Sequence, residues 1–315
     1  MRQEKGWHMK NTEQEKINVK RTEPSDDWPH KKLWQGVRDA LKALPAHFHS
    51  DTFIEGVNAT DVFTLNSALG ATIENQVVET LNTIRSVWDP ENRYGTFLFV
   101  RQPQSFPDVV LKNLSDETAS PIMGIELKGW YLLAKEAEPS MRFQQTKRAC
   151  ADADLIMVVP WVLNSVISGR PRIYTPFIEL ARYAAEYRNK YWQAMRVSGK
   201  DAMIVEPKDA APYPRKADAT NDKPTSDSGG NFGRIARTGL MDEYLERMMI
   251  QPVCGIKATY WLEFFKIFHQ DATDEQIRKA LDRLRSKVEC VAESTQKQSL
   301  MEVLSALEVH FLKLY

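Results

Sequence analysis

The run Asp-Leu-Ile-Met-Val-Val-Pro-Trp-Val-Leu at 154–163 constrains this chain more than any other stretch. It is apolar on both faces and too short for a typical buried helix. It therefore reads as a strand in the middle of a sheet. Three further strands are predicted upstream: 96–100 (TFLFV), 108–111 (DVVL) and 122–130 (IMGIELKGW). A helix is predicted over 68–85, where Leu69, Ile73, Val77, Leu81 and Ile84 recur at helical spacing. Another is expected over 175–195, capped by Thr175 with Pro176 at its first position. Helices at 241–250, 260–268, 273–291 and 300–314 follow; the third opens with Thr-Asp-Glu-Gln, a capping-box pattern. The expected class is α/β: a central mixed β-sheet flanked by helices, with a helical C-terminal part.

Two stretches interrupt this order. Residues 1–30 are polar and aperiodic, as in a tail or a loosely docked arm. Residues 206–231, rich in Pro, Asp, Lys, Ser and Gly, read as a long mobile loop. The expected organisation is an arm (1–30), a core (31–205), the loop, and a helical part (232–315) packed on the core. No apolar run reaches the roughly 20 residues of a membrane span, and the start lacks the apolar segment of a secretory signal. Cys150, Cys254 and Cys290 are odd in number and widely spaced, which disfavours a disulfide framework or a zinc site and fits a reducing cytoplasm. Lys and Arg number 42, as do Asp and Glu, so bulk attraction to nucleic acid is not anticipated; any such binding must come from local clusters.

The residues that suggest chemistry are Pro107-Asp108 at the head of one strand and Glu126-Leu127-Lys128 inside another. Side chains alternate along a strand, so Glu126 and Lys128 share a face. If the two strands are neighbours, Asp108, Glu126 and Lys128 converge at one end of the sheet. Two carboxylates offer hard oxygen ligands to Mg²⁺, which accepts a few carboxylates together with water and substrate phosphate. A lysine beside them can orient or deprotonate a water. The bland alternative is a solvated Glu–Lys pair on a half-exposed strand. Against it stands the setting: a charged pair in an otherwise apolar run is costly without partners. Glu74 falls about 60° from the centre of the apolar stripe of the 68–85 helix at ~3.6 residues per turn, at the edge of the buried face, whereas Glu79 points the other way.

A helix carrying Glu, a strand, Pro-Asp, a strand with Glu-x-Lys, and a further helix and strand resemble the PD-(D/E)xK nuclease core, and more narrowly the type II restriction endonucleases. The resemblance covers about residues 68–195. It implies Mg²⁺ as cofactor, Asp108 and Glu126 as metal ligands helped by the Leu127 carbonyl, Lys128 supporting the attacking water, and Glu74 near the site. It also implies double-stranded DNA as substrate, a homodimer facing a palindromic site, a bacterial cytoplasmic setting without a membrane, and a cognate DNA methyltransferase as functional partner. Base or phosphate contacts are expected from the cluster Arg142, Gln144 and Gln145 with Lys147 and Arg148, from Arg170 and Arg172, from Asn231, Arg234 and Arg237, and from Lys257. Rival readings are a structure-specific repair or recombination nuclease, and a non-catalytic DNA-binding or scaffold protein in which Glu126 and Lys128 form a structural ion pair. The aromatic residues Tyr183, Tyr187, Tyr191 and Trp192 read as core or dimer packing, and His47 and His49 as ordinary.

Overall fold

The computed structural model describes residues 17–57, 59–102, 104–116, 118–196, 202–227, 230–267, 273–287, 301–305 and 307–309. It is a mixed α/β structure built on a curled six-stranded sheet. The strands are β1 (Phe97–Arg101), β2 (Val109–Asn113), β3 (Met123–Tyr131), β4 (Leu155–Leu163), β5 (Pro171–Ile173) and β6 (Phe177–Leu180). β1, β2 and β3 form an antiparallel meander, β3 and β4 pair in parallel, and β5 and β6 both run antiparallel along the other edge of β4. Every residue of β4 is buried, as its uninterrupted apolar run requires.

Helices cover the sheet. α1 (Lys31–His47) buries Leu33, Trp34, Val37, Leu41 and Leu44, and the Trp34 indole donates to the Ala153 carbonyl at 3.0 Å. α2 (Leu65–Thr83) lies on β3 and β1, with Ile73, Val77 and Leu81 buried; α3 (Arg85–Trp88) follows it. A Cβ added at Gly129 of β3 would lie 3.4 Å from the Gly70 carbonyl of α2, so this face of β3 packs directly under the helix. α4 (Ala181–Ala194) continues from β6. β7 (Ile204–Val205) and β8 (Lys223–Pro224) form a short ladder. The C-terminal part holds α5 (Asp242–Met249), the β9–β10 pair (Pro252–Val253, Ile256–Lys257), α6 (Ala258–Ile267) and α7 (Asp274–Ser286). Thr273 and Gln276 close the anticipated capping box at α7. One continuous apolar core runs from Leu33 through the sheet to Leu307. Among the described residues, no helix is long and apolar enough to cross a membrane.

Three expectations need correction. The segment 175–195 is not one helix. Phe177–Leu180 pairs with Leu155–Val158 of β4, and Leu180 is still extended where the helix begins. Helical spacing and Pro176 signalled an early start, but the unpaired edge of β4 takes these residues as a strand. Secondly, the stretch 206–231, apart from residues 228 and 229 outside the description, is anchored to the core. The Tyr213 hydroxyl donates to Asp154 at 3.2 Å, and Asp222 is fully buried against Arg188. Thirdly, the arm residues 17–30 are docked: Arg21 pairs with Glu179 and lies over the Tyr183 ring, and Glu23 bonds Lys31 and Arg38. Tyr187 and Trp192 are buried, as core packing requires. Residues 1–16, Cys290, the end of the 273–291 helix and most of the 300–314 helix lie outside the described residues.

Candidate active site

In the β2–β3 ladder Val109 faces Ile125. One step back along β2, Asp108 therefore falls opposite Glu126, and directly opposed residues in an antiparallel pair project to the same face. Beyond this point β2 no longer pairs with β3. Alternate amides of β3 are left open on that edge, and side chains take them. Leu127 N–H donates to Asp108 at 2.9 Å, Gly129 N–H to Glu74 at 3.0 Å and Tyr131 N–H to Asn66 at 2.8 Å. Buried backbone donors need partners, so the gap in the ladder itself dictates oxygen-bearing side chains here. Within a strand the N–H and C=O of one residue point to the same edge, so the Leu127 carbonyl also faces this gap.

Pro107 delivers Asp108 to this position by lying over Gly124. A Cβ there would fall 2.1 Å from the Pro107 ring and 3.1 Å from the Asp154 carboxylate. Asp154, at the head of β4, accepts the Gly124 and Ala151 amides, each at 2.7 Å; burial nevertheless pushes it up to about 6.

Asp108 and Glu126 form the floor of a cleft of about 440 Å³, whose walls include Gln104, Phe106, Gln145 and residues 214–216, 218–221 and 223. Glu126 is half-buried, with part of its side chain facing the cleft. Burial, with the Asp108 charge opposing ionisation next, raises Glu126 from its ordinary 4.5 to about 8. Asp108 is raised too, by burial and by the Glu74 charge, against the pull of the Leu127 amide, Arg101 and Lys128. The two carboxylates are thus short of positive charge. Glu74 is supplied: its carboxylate accepts the Gly129 amide and lies 3.5 Å from Arg101 and 3.8 Å from the Lys128 ammonium.

Among the described residues, no three His, Cys, Asp or Glu side chains form a ready-made metal cage. The donor set that the site does offer is two crowded carboxylates with a strand carbonyl beside them. That set fits a hard divalent cation which keeps part of its water shell, and such a cation would offset the burial and the neighbouring negative charge that raise both acids. Asp108, Glu126 and the Leu127 carbonyl would hold it. Glu74 is engaged at the edge, where it orients Lys128 and Arg101. Arg101 escaped the sequence reading because it follows the apolar strand signal by one residue and belongs to no motif.

The proposed DNA-contact residues divide into two groups. Arg142, Gln144, Asn231, Arg234 and Arg237 lie along one seam, where Arg142 bridges Arg234, and Gln144 packs against Gly233. There Arg234 and Arg237 flank the buried Glu138, and Asn231 accepts from Arg237 at 2.8 Å. Arg142 remains exposed. Arg170, Arg172 and Lys257 lie elsewhere. Arg172 faces Val162 near the end of β4, whereas Glu126 faces Ile156 near its start, a separation of about 20 Å at strand rise. Arg170 donates to the Ser50 carbonyl at 2.8 Å, Arg172 lies over Tyr174, and Lys257 pairs with Pro252 in β10. The cleft itself is lined by Gln145, with Arg215, Lys216, Asn221 and Lys223. No family model, curated protein or solved structure matches this chain.

Proposed function

We propose that this chain is a Mg²⁺-dependent endonuclease that hydrolyses phosphodiester bonds in double-stranded DNA at a specific site, in the manner of type II restriction endonucleases. The observation that carries the reading is the pair Asp108–Glu126: two charge-starved carboxylates opposed across a strand gap on the floor of an open cleft, with Lys128 alongside.

In this reading Asp108, Glu126 and the Leu127 carbonyl hold the cation. Bound Mg²⁺ supplies acidification of an attacking water and stabilisation of the charge growing on phosphorus. The half-exposed Lys128 ammonium faces the site at the open edge, where it orients the water and neutralises developing negative charge. Glu74 fixes Lys128 by ion pairing and fixes the strand through the Gly129 amide. Arg215, Lys216 and Lys223 on the cleft wall supply cations for phosphate contacts. The substrate symmetry of such enzymes argues for a homodimer that sets two clefts on a palindromic duplex, with a cognate DNA methyltransferase protecting the host.

Digestion of DNA of known sequence in Mg²⁺, followed by mapping of the fragment ends, tests this directly. Discrete fragments with a shared end motif support it. Preference for branched or nicked DNA without such a motif favours a structure-specific nuclease. No cleavage in Mg²⁺ rejects it in favour of a non-catalytic role.

A further inference from the structure

The cleft wall facing the carboxylates is assembled from two extended segments. Thr146 N–H donates to the Thr220 carbonyl at 2.7 Å, Asp222 N–H donates to the Gln144 carbonyl at 2.8 Å, and Gln145 bridges Asn221 between them. Opposed residues in an antiparallel pairing place their Cβ atoms about 5 Å apart on one face. Two carboxamides, Gln145 and Asn221, therefore sit side by side, and both line the cleft that holds Asp108 and Glu126.

This wall is held from behind. Arg188 of α4, fully buried, donates to the carbonyls of Phe143 and Gln145 at 2.6 and 3.2 Å and pairs with the buried Asp222, while Asn189 bonds both Arg188 and Asp222. The amides are thus presented on a fixed backbone. The buried Oε1 of Gln145 has no hydrogen-bond partner among the described residues. An unpaired buried acceptor is costly. That oxygen is turned away from solvent, whereas the Asn221 side chain is exposed.

We propose that Asn221, with Gln145 beside it, reads an adenine next to the phosphodiester held at Asp108 and Glu126, an inference that rests on the nuclease reading above. A carboxamide offers one acceptor beside one donor. In the major groove only adenine presents the complement, its N6 amine beside N7, whereas guanine presents two acceptors that suit a free guanidinium. The guanidinium in this cleft, Arg215, pairs with Asp218 at 3.1 Å and is assigned, with Lys216, to the phosphate contacts proposed above.

The test uses the full-length protein and PCR-made duplexes in Mg²⁺, with unmodified bases, with 7-deaza-2′-deoxyadenosine in place of adenosine, or with 7-deaza-2′-deoxyguanosine in place of guanosine. Loss of one of two hydrogen bonds to adenine predicts roughly ten-fold slower cleavage of the deaza-adenine DNA and little change with deaza-guanine. Asn221→Ala should cut unmodified DNA more slowly and lose most of the adenine discrimination. The Asn221 side chain is exposed, so its removal leaves folding intact. Equal cleavage of unmodified and deaza-adenine DNA overturns the proposal, as does equal slowing by both analogues, which reports a general duplex effect. If unmodified DNA is not cut at all, the nuclease reading itself fails and this inference goes with it.

Discussion

The carboxylate of Asp108 accepts the backbone N–H of Leu127 at 2.9 Å, across the point where β2 and β3 part. A missing rung of the sheet is thereby replaced by an acid, and the same acid is forced against Glu126. Sheet geometry, rather than loop placement, makes this site.

The burial of Glu126 beside Asp108 has a pH signature. The unfolded chain ionises Glu126 near its ordinary 4.5, while the folded protein holds the proton to about 8. Between these values the folded state binds more protons, so stability falls as pH rises and levels off above about 8. In EDTA, the melting temperature of the wild type should fall between pH 6 and 8, and Glu126→Gln should flatten that fall. Asp154, raised only to about 6, contributes below this window. Identical pH profiles for the two proteins would show that Glu126 is not perturbed.

The proposed function makes the role of Lys128 separable from cation binding. Lys128→Met should lower cleavage by about 10²–10⁴-fold, the usual size of a lost proton-transfer or orienting group. It should keep the rise in melting temperature that Mg²⁺ produces through preferential binding to the folded state. Loss of both responses would make Lys128 structural.

Gly124 is required by Pro107. A methyl group there meets the ring at 2.1 Å, and neither the ring nor the strand can yield freely. Gly124→Ala should cost about 1–3 kcal/mol by urea denaturation, in the range for overpacking, and should displace Asp108. Wild-type stability with wild-type cleavage would contradict the packing described.

Much of the sheet and of its acidic floor was legible in the sequence because apolar runs and alternation act locally. The four strands 96–100, 108–111, 122–130 and 154–163 correspond to β1 to β4; Asp108 and Glu126 share the cleft, and Lys128, two residues along β3, pairs with Glu74. The remainder depends on contacts distant along the chain. Phe177–Leu180 is a strand only because β4 has an open edge. Arg188 reads as an ordinary helical charge until Asp222, 34 residues away, is found against it. Gln145 belongs to a cluster expected to contact bases, but its pairing with Asn221, which turns it to the cleft, is revealed by no local pattern.

The Arg188–Asp222 pair is fully buried and holds the cleft wall. Replacing one partner strands the other charge, at a cost of about 3–5 kcal/mol. Arg188→Met should lower the denaturation midpoint accordingly and should speed proteolysis within 206–227. Unchanged protease resistance would show that this stretch is held by other contacts.

The most direct test of the central claim is plasmid cleavage in Mg²⁺ by wild type, Asp108→Asn and Glu126→Gln, each confirmed as folded by its melting transition. The wild type should linearise the plasmid in Mg²⁺ and not in EDTA, and each variant should lose at least a hundred-fold in rate. Cutting at the wild-type rate by either folded variant would contradict the role assigned to these two acids.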